Sequence, residues 1–277
     1  MAVALAPHQV ASANPFLAAK TRPLIVGHRG VPTLHQENTL AGFRRAVELG
    51  LDAIELDVRL TRDGRAVVFH DANAERLTGV RRAIADMTWD EVAALRVRTT
   101  LVARDRVVRY AREERISLLA EVLAEVGGDV AINIELKPRW LGDAAAHVVA
   151  AELAAAGLGG RVLVTSYDPR KLRDTGRADP SLAVGYCWNN SVFGGWRVVD
   201  RLIAGVPRVR AVGANHRFVD AVAVRRLRAA GLAVGAHVLF PLDGRATPPG
   251  ELARLLELGL DWIETDDPPH LHAALRG

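Results

Sequence analysis

A TIM (β/α)8 barrel with a hairpin and a small insertion after its second strand is predicted by three observations. Eight short apolar runs alternate with Ala/Leu/Arg-rich segments of helical pattern, the arrangement of βαβ units around a parallel sheet. Those units fill about 250 residues, the usual size of such a barrel. A further apolar run lies too close to its neighbour to belong to the parallel set. The alternative architecture for the same alternation is an open doubly wound sheet. With 277 residues, 49% hydrophobic and 25% charged, the chain has ordinary globular proportions, which exclude a disordered or fibrous protein.

The elements follow in order. Residues 1–22 are Ala-rich with Pro7 and Pro15 and read as a loose arm, leaving 23–277 as one barrel domain. The first strand is Leu24-Ile25-Val26-Gly27-His28, and a helix from about Asn38 to Leu49 ends at Gly50. Asp52-Ala53-Ile54-Glu55-Leu56-Asp57 begins the second strand. Only Thr61-Arg62-Asp63-Gly64-Arg65 separates that segment from Ala66-Val67-Val68-Phe69-His70. A parallel crossover needs a dozen or more residues, so this Asp-Gly turn makes an antiparallel hairpin. The insertion spans about 58–115 and contains a short helix announced by the capping-box word Thr88-Trp89-Asp90-Glu91. Later strands are expected at 130–136, 161–166, 182–187, 209–214, 232–238 and 261–265. Helices are expected near 142–156, 169–178, 194–204, 219–230 and 249–258.

The charge balance is +4, and only Lys20, Lys137 and Lys171 among the cations are lysines. The arginines are mostly interleaved with acids, and basic clusters such as Arg225-Arg226-Leu227-Arg228 lack aromatic neighbours, so nucleic acid is not an expected partner. No uncharged apolar stretch reaches the roughly 18 residues of a spanning helix. The N-terminus has no basic region before its apolar run, so a cytoplasmic location is expected. The single Cys187 excludes an internal disulfide framework and a cysteine-rich zinc site. Nothing in the sequence sets an oligomeric state.

Barrel chemistry collects at the C-terminal ends of the strands. There the sequence places His28-Arg29-Gly30 after the first strand, Glu55 and Asp57 on one face of the second, His70-Asp71 at the hairpin end, and Glu135 and Lys137 on one face of the third. Acids sharing a barrel interior repel unless protonated or bridged by a cation, and an all-oxygen set suits a hard ion such as Mg²⁺ or Ca²⁺. Arg29 and Lys137 answer a polyoxygen anion, and two histidines can serve as general acid and base near neutrality. Glu37 divides evenly between support of the site and a charge at a helix N-terminus. Ser166, Tyr167 and Trp188 are candidate pocket liners, Cys187 is expected in the core, and His270-Leu271-His272 is expected on a surface tail.

The words VGHRG at 26–30, ENTLAGF at 37–43, IELDVRLTRDG at 54–64, VVFHD at 67–71, INIELKP at 132–138 and GLDWIETDDP at 259–268 resemble, in order, those of the glycerophosphodiester phosphodiesterase family. The resemblance implies a TIM barrel that releases glycerol 3-phosphate and an alcohol from a small phosphodiester, the deacylated head group of a phospholipid. In some members the glycerol's own hydroxyl is thought to attack first. Carried over by position, it implies that His28 and His70 are the acid–base pair and that Glu55, Asp57 and Glu135 hold one divalent ion. It further implies that Arg29 and Lys137 bind the phosphodiester and that Glu37 supports the site. The chain departs from the family at 236–239, where Ala-His-Val-Leu replaces a common Trp-Thr-Val-Asn word, and at 116–119. The loss of that tryptophan removes a wall, and His237 adds a polar group. Two alternatives share the same residues: a lysolipid-cleaving phosphodiesterase at a membrane surface, and an idle barrel that only binds a phosphate ester.

Overall fold

The computed structural model of the protein describes residues 14–104, 106–137, 144–188, 205–206, 208–243 and 245–276. Its strands are β1 (Leu24–Gly27), β2 (Ala53–Leu60), β3 (Ala66–Val68), β4 (Arg96–Val97), β5 (Thr100–Ala103), β6 (Arg106–Arg109), β7 (Glu114–Arg115), β8 (Ala131–Leu136), β9 (Val162–Ser166), β10 (Ala183–Trp188), β11 (Val209–Asn215), β12 (Ala233–Leu239) and β13 (Trp262–Thr265). β1, β2 and β8 through β13 pair in parallel, in the order β1-β13-β12-β11-β10-β9-β8-β2. The pairing Val26↔Ala53 and Gly27↔Ile54 joins β1 to β2 and closes the ring. Closure excludes the doubly wound alternative, and each parallel strand coincides with a predicted run. β3 lies antiparallel on β2, with Val58↔Val68 and Leu60↔Ala66, as the short Asp-Gly turn requires.

The main core lies between the barrel and its helices, where Ile54, Leu56, Ile132, Ile134 and Val164 meet Phe43, Leu119, Leu123 and Leu153. Helix α1 (Leu40–Glu48) starts where Thr39 accepts a hydrogen bond from the Gly42 N–H at 3.3 Å. Helices Ala145–Ala156, Pro169–Ala178, Ala221–Ala229 and Glu251–Glu257 match predicted ones within a few residues. The helix expected at 194–204 falls outside the described residues. His270-Leu271-His272 lies within the helix Pro268–Arg276 rather than a tail, with His270 exposed as expected and Leu271 fully buried.

The insertion builds an apolar cluster of its own, including Phe69, Leu77, Ile84, Met87, Val92 and Leu101. Its helix Trp89–Ala93 carries the expected capping box, with Glu91 Oε2 accepting the Thr88 N–H at 2.8 Å. The pairs β4–β7 and β5–β6 were not predicted, since strands of two to four residues are too short to show a period.

The arm expected over 1–22 is fixed where it is described. Phe16 is wholly buried and meets Trp262 edge-on at 5.8 Å, closing the N-terminal end of the barrel. The Asn14 side chain donates to the Val162 carbonyl at 2.7 Å, and Lys20 pairs with Asp261 at 3.5 Å. Trp262 finds room because residue 235 is glycine; a Cβ there would lie 1.9 Å from the indole. Residues 1–13 lie outside the described residues.

Candidate active site

At the C-terminal end of the barrel, a cavity of about 460 Å³ is lined by every predicted site residue except Asp57, which is fully buried behind it. The turn after β1 builds the first wall. A Cβ on Gly27 would lie 2.2 Å from the Gly30 carbonyl, so glycine lets the chain fold back tightly. Arg29 takes φ 55°, and its N–H donates to Glu55 Oε2 at 2.9 Å. Its guanidinium reaches Glu37 at 2.8 Å and approaches Asp57 at 3.3 Å.

β2 and β8 deliver the acids in register, with Asp57 opposite Glu135 and Glu55 opposite Asn133. Glu55, Asp57 and Glu135 are buried, and each offers a carboxylate oxygen within 4.8 Å of the others. Lys137 stands 2.7 Å from Asp57 and 2.6 Å from Glu135. Burial opposes ionisation of Asp57, but Lys137 and Arg29 outweigh it and hold its carboxyl well below the usual range. Glu55 goes the other way, pushed up by burial and then by Asp57. Its Oε1 is buried with no hydrogen-bond partner among the described residues. A buried carboxylate oxygen left open beside two further acids fits a hard divalent cation. His28, Glu55 and Glu264 form a second, overlapping group of possible ligands.

Both histidines are braced from behind. His28 Nδ1 bonds Asp266, whose other oxygen accepts the Leu242 N–H at 2.5 Å. His70 Nδ1 bonds Asp71 at 2.6 Å, and Asp71 accepts from Arg76 at 2.6 Å. Each carboxylate fixes its ring through Nδ1 and leaves Nε2 outside that bond. Burial lowers the His28 pKa, yet Asp266 more than reverses this and raises it to about 9. Glu37 accepts from both Arg29 and Arg76, and these cations hold its carboxyl at about 2 despite burial. That placement favours support of the site over a helix-end charge.

Asn38 and Arg76 went unrecognised in the sequence. Asn38, at φ 58°, donates to Asp57 Oδ2 at 2.7 Å and accepts the Asp57 N–H at 3.2 Å. Asp266 and Glu264 stood inside the quoted closing word GLDWIETDDP, two residues apart at the end of the last strand, a signal that could have found them. Tyr167 lines the cavity as expected, while Ser166 turns away to the Leu136 carbonyl at 2.7 Å and Trp188 lies outside the lining. Cys187 is buried as expected but also lines the cavity.

The model of the glycerophosphoryl diester phosphodiesterase family matches residues 28–270. The chain belongs to that family. A glycerophosphodiester phosphodiesterase of Caldanaerobacter subterraneus subsp. tengcongensis is 30% identical over 257 residues, 90% of this chain and 96% of that one. The fold is also that of the Thermotoga maritima glycerophosphodiester phosphodiesterase (TM-score 0.69, 24% identity, covering 93% and 100% of the two chains). It matches equally the Oleispira antarctica phosphodiesterase solved with the product sn-glycerol-3-phosphate (TM-score 0.72, 22% identity, covering 92% and 98%). This family member is therefore an enzyme, a phosphoric diester hydrolase, and no helix among its described residues is long and apolar enough to cross a membrane.

Proposed function

We propose that the protein hydrolyses glycerophosphodiesters to glycerol 3-phosphate and an alcohol, with one divalent ion, Mg²⁺ or Ca²⁺, held by Glu55, Asp57 and Glu135. The observation that carries this reading is the pairing of two carboxylate-braced histidines with an acid cluster in one cavity. An ion bound there supplies positive charge to the phosphoryl oxygens as negative charge gathers on them.

The remaining steps belong to the side chains. Arg29 and Lys137 orient the phosphodiester and complement its charge. His70 Nε2 accepts the proton of the attacking hydroxyl as its oxygen bonds to phosphorus. His28, held protonated near neutrality by Asp266, gives its Nε2 proton to the departing alkoxide as the phosphorus–oxygen bond breaks. Glu37, through Arg29 and Arg76, keeps the guanidinium and the Asp71 brace in place.

The test is release of glycerol 3-phosphate from glycerophosphoethanolamine by metal-stripped protein, before and after Mg²⁺ or Ca²⁺ is restored. Activity that returns with the ion and is lost in His28→Ala and His70→Ala is expected. Full activity in chelator, or in either histidine variant, would refute the proposal.

A further inference from the structure

The cavity lining combines charged and uncharged groups. Arg29, Glu55, Glu135, Lys137 and Glu264 are charged, and Tyr167, Cys187, Gly213, Val238 and Trp262 are not. His237 also lines the cavity. His237 lies on β12, opposite Asn215 of β11, and is only 9% exposed. Tyr167 meets its ring edge-on at 6.4 Å. Its Nε2 is buried and has no hydrogen-bond partner among the described residues.

Leaving a buried polar nitrogen unpaired is costly, so a group normally present supplies its partner. The backbone around it is strained as well. Val238 has φ 66° and Phe240 φ 50°, and the pairing of β12 with β13 slips between Ala236 and Leu239. A β-branched residue at positive φ is a true outlier, and strain of that kind persists where surrounding structure enforces it, often beside a ligand. Burial keeps the ring neutral, lowering its pKa to about 3 with help from His28 and Lys137. A neutral imidazole has one donor and one acceptor nitrogen, which suits a hydroxyl and not a second charge.

We infer that His237 is a specificity-determining residue that hydrogen-bonds a hydroxyl of the substrate's glycerol half. The inference rests on the proposed reaction, in which the glycerol stays with the phosphate. Among the lining residues Ala103 and Asp243 are partly exposed and Arg245 is exposed, so the departing alcohol is assigned to their side. A nitrogen buried in the wall serves the half that goes deepest and stays.

The experiment compares glycerol 3-phosphate with propyl phosphate, which has the same length and charge but no hydroxyls. Affinities are measured by calorimetry on the Mg²⁺-loaded protein. Wild type is expected to prefer glycerol 3-phosphate by roughly tenfold or more, the scale of one buried hydrogen bond. His237→Phe should bind both about equally, and His237→Gln, which keeps an amide donor and acceptor, should restore most of the preference. A preference retained in His237→Phe, or absent from wild type, overturns the inference. Should the phenylalanine variant not fold, ¹⁵N-histidine spectra of wild type decide, assigned with the glutamine variant. The His237 Nε2 resonance should move with glycerol 3-phosphate and not with propyl phosphate, and an unmoved resonance overturns the inference. Failure of the underlying reaction shows separately, as wild type that does not turn over glycerophosphoethanolamine, and it removes this inference too.

Discussion

At the N-terminal end of the barrel Phe16 and Trp262 close the interior with Val26, Ala53, Ala131 and Leu163, and the Trp262 indole N–H, without a hydrogen-bond partner among the described residues, is the one polar group these six side chains carry. At the C-terminal end the same strands turn inward Glu55, Asp57, Glu135 and Glu264, all buried, with orphaned atoms on Glu55 and His237. One end is built as any core is, by excluding water and filling volume. The other keeps like charges together beside polar atoms with no partner among the described residues, a conflict that protonation of Glu55 or a bound cation would relieve. The contrast teaches that stability and chemistry sit on the same strands, a few residues apart. Substitutions should separate them.

The largest separation is expected from Glu55→Gln. Turnover of glycerophosphoethanolamine should fall by roughly 10³-fold, the scale of losing an electrostatic stabiliser. The melting temperature should hold or rise, because one of several clustered buried carboxylates has been neutralised. A variant that unfolds would break the comparison. Phe16→Ala should do the reverse, costing roughly 3–5 kcal/mol in denaturant unfolding while the folded fraction keeps its kcat.

A third test uses Glu37. Its folded pKa of about 2 lies below the ordinary 4.5, so its contribution is fully present above pH 4.5 and lost as pH falls toward 2. Wild type should lose on the order of 3 kcal/mol of unfolding free energy across that window through this group. Glu37→Gln should show a correspondingly shallower acid dependence in urea titrations. The smallest effect is expected from Asp266→Asn. His28 is protonated below about 9, so activity that needs its proton should decline as pH rises through that value. Without Asp266 the alkaline limb of kcat should move to lower pH. A limb that stays in place would show that another group donates the proton.

Much of this was legible in sequence, for identifiable reasons. Parallel barrel strands are buried on both faces and read as apolar runs, so all eight stood out, and the hairpin followed from the length of its turn. Glu55 with Asp57, and Glu135 with Lys137, were legible because side chains two apart share a face of a strand. The Asp266 brace of His28 was not, because it joins residues 238 positions apart in sequence. Arg76 comes from the insertion, whose fold has no period to read. Phe16 was hidden as one aromatic in an Ala-rich segment, although packing makes it part of the barrel.

The chemistry proposed for the protein depends first on Glu55, Asp57 and Glu135 forming a cation site. Calorimetric titration of Mg²⁺ and of Ca²⁺ into metal-stripped protein tests it most directly, with Glu55→Gln alongside. One ion bound per chain in wild type, and none in a folded Glu55→Gln, is the expected result. No binding to wild type, or equal binding to the variant, would contradict it.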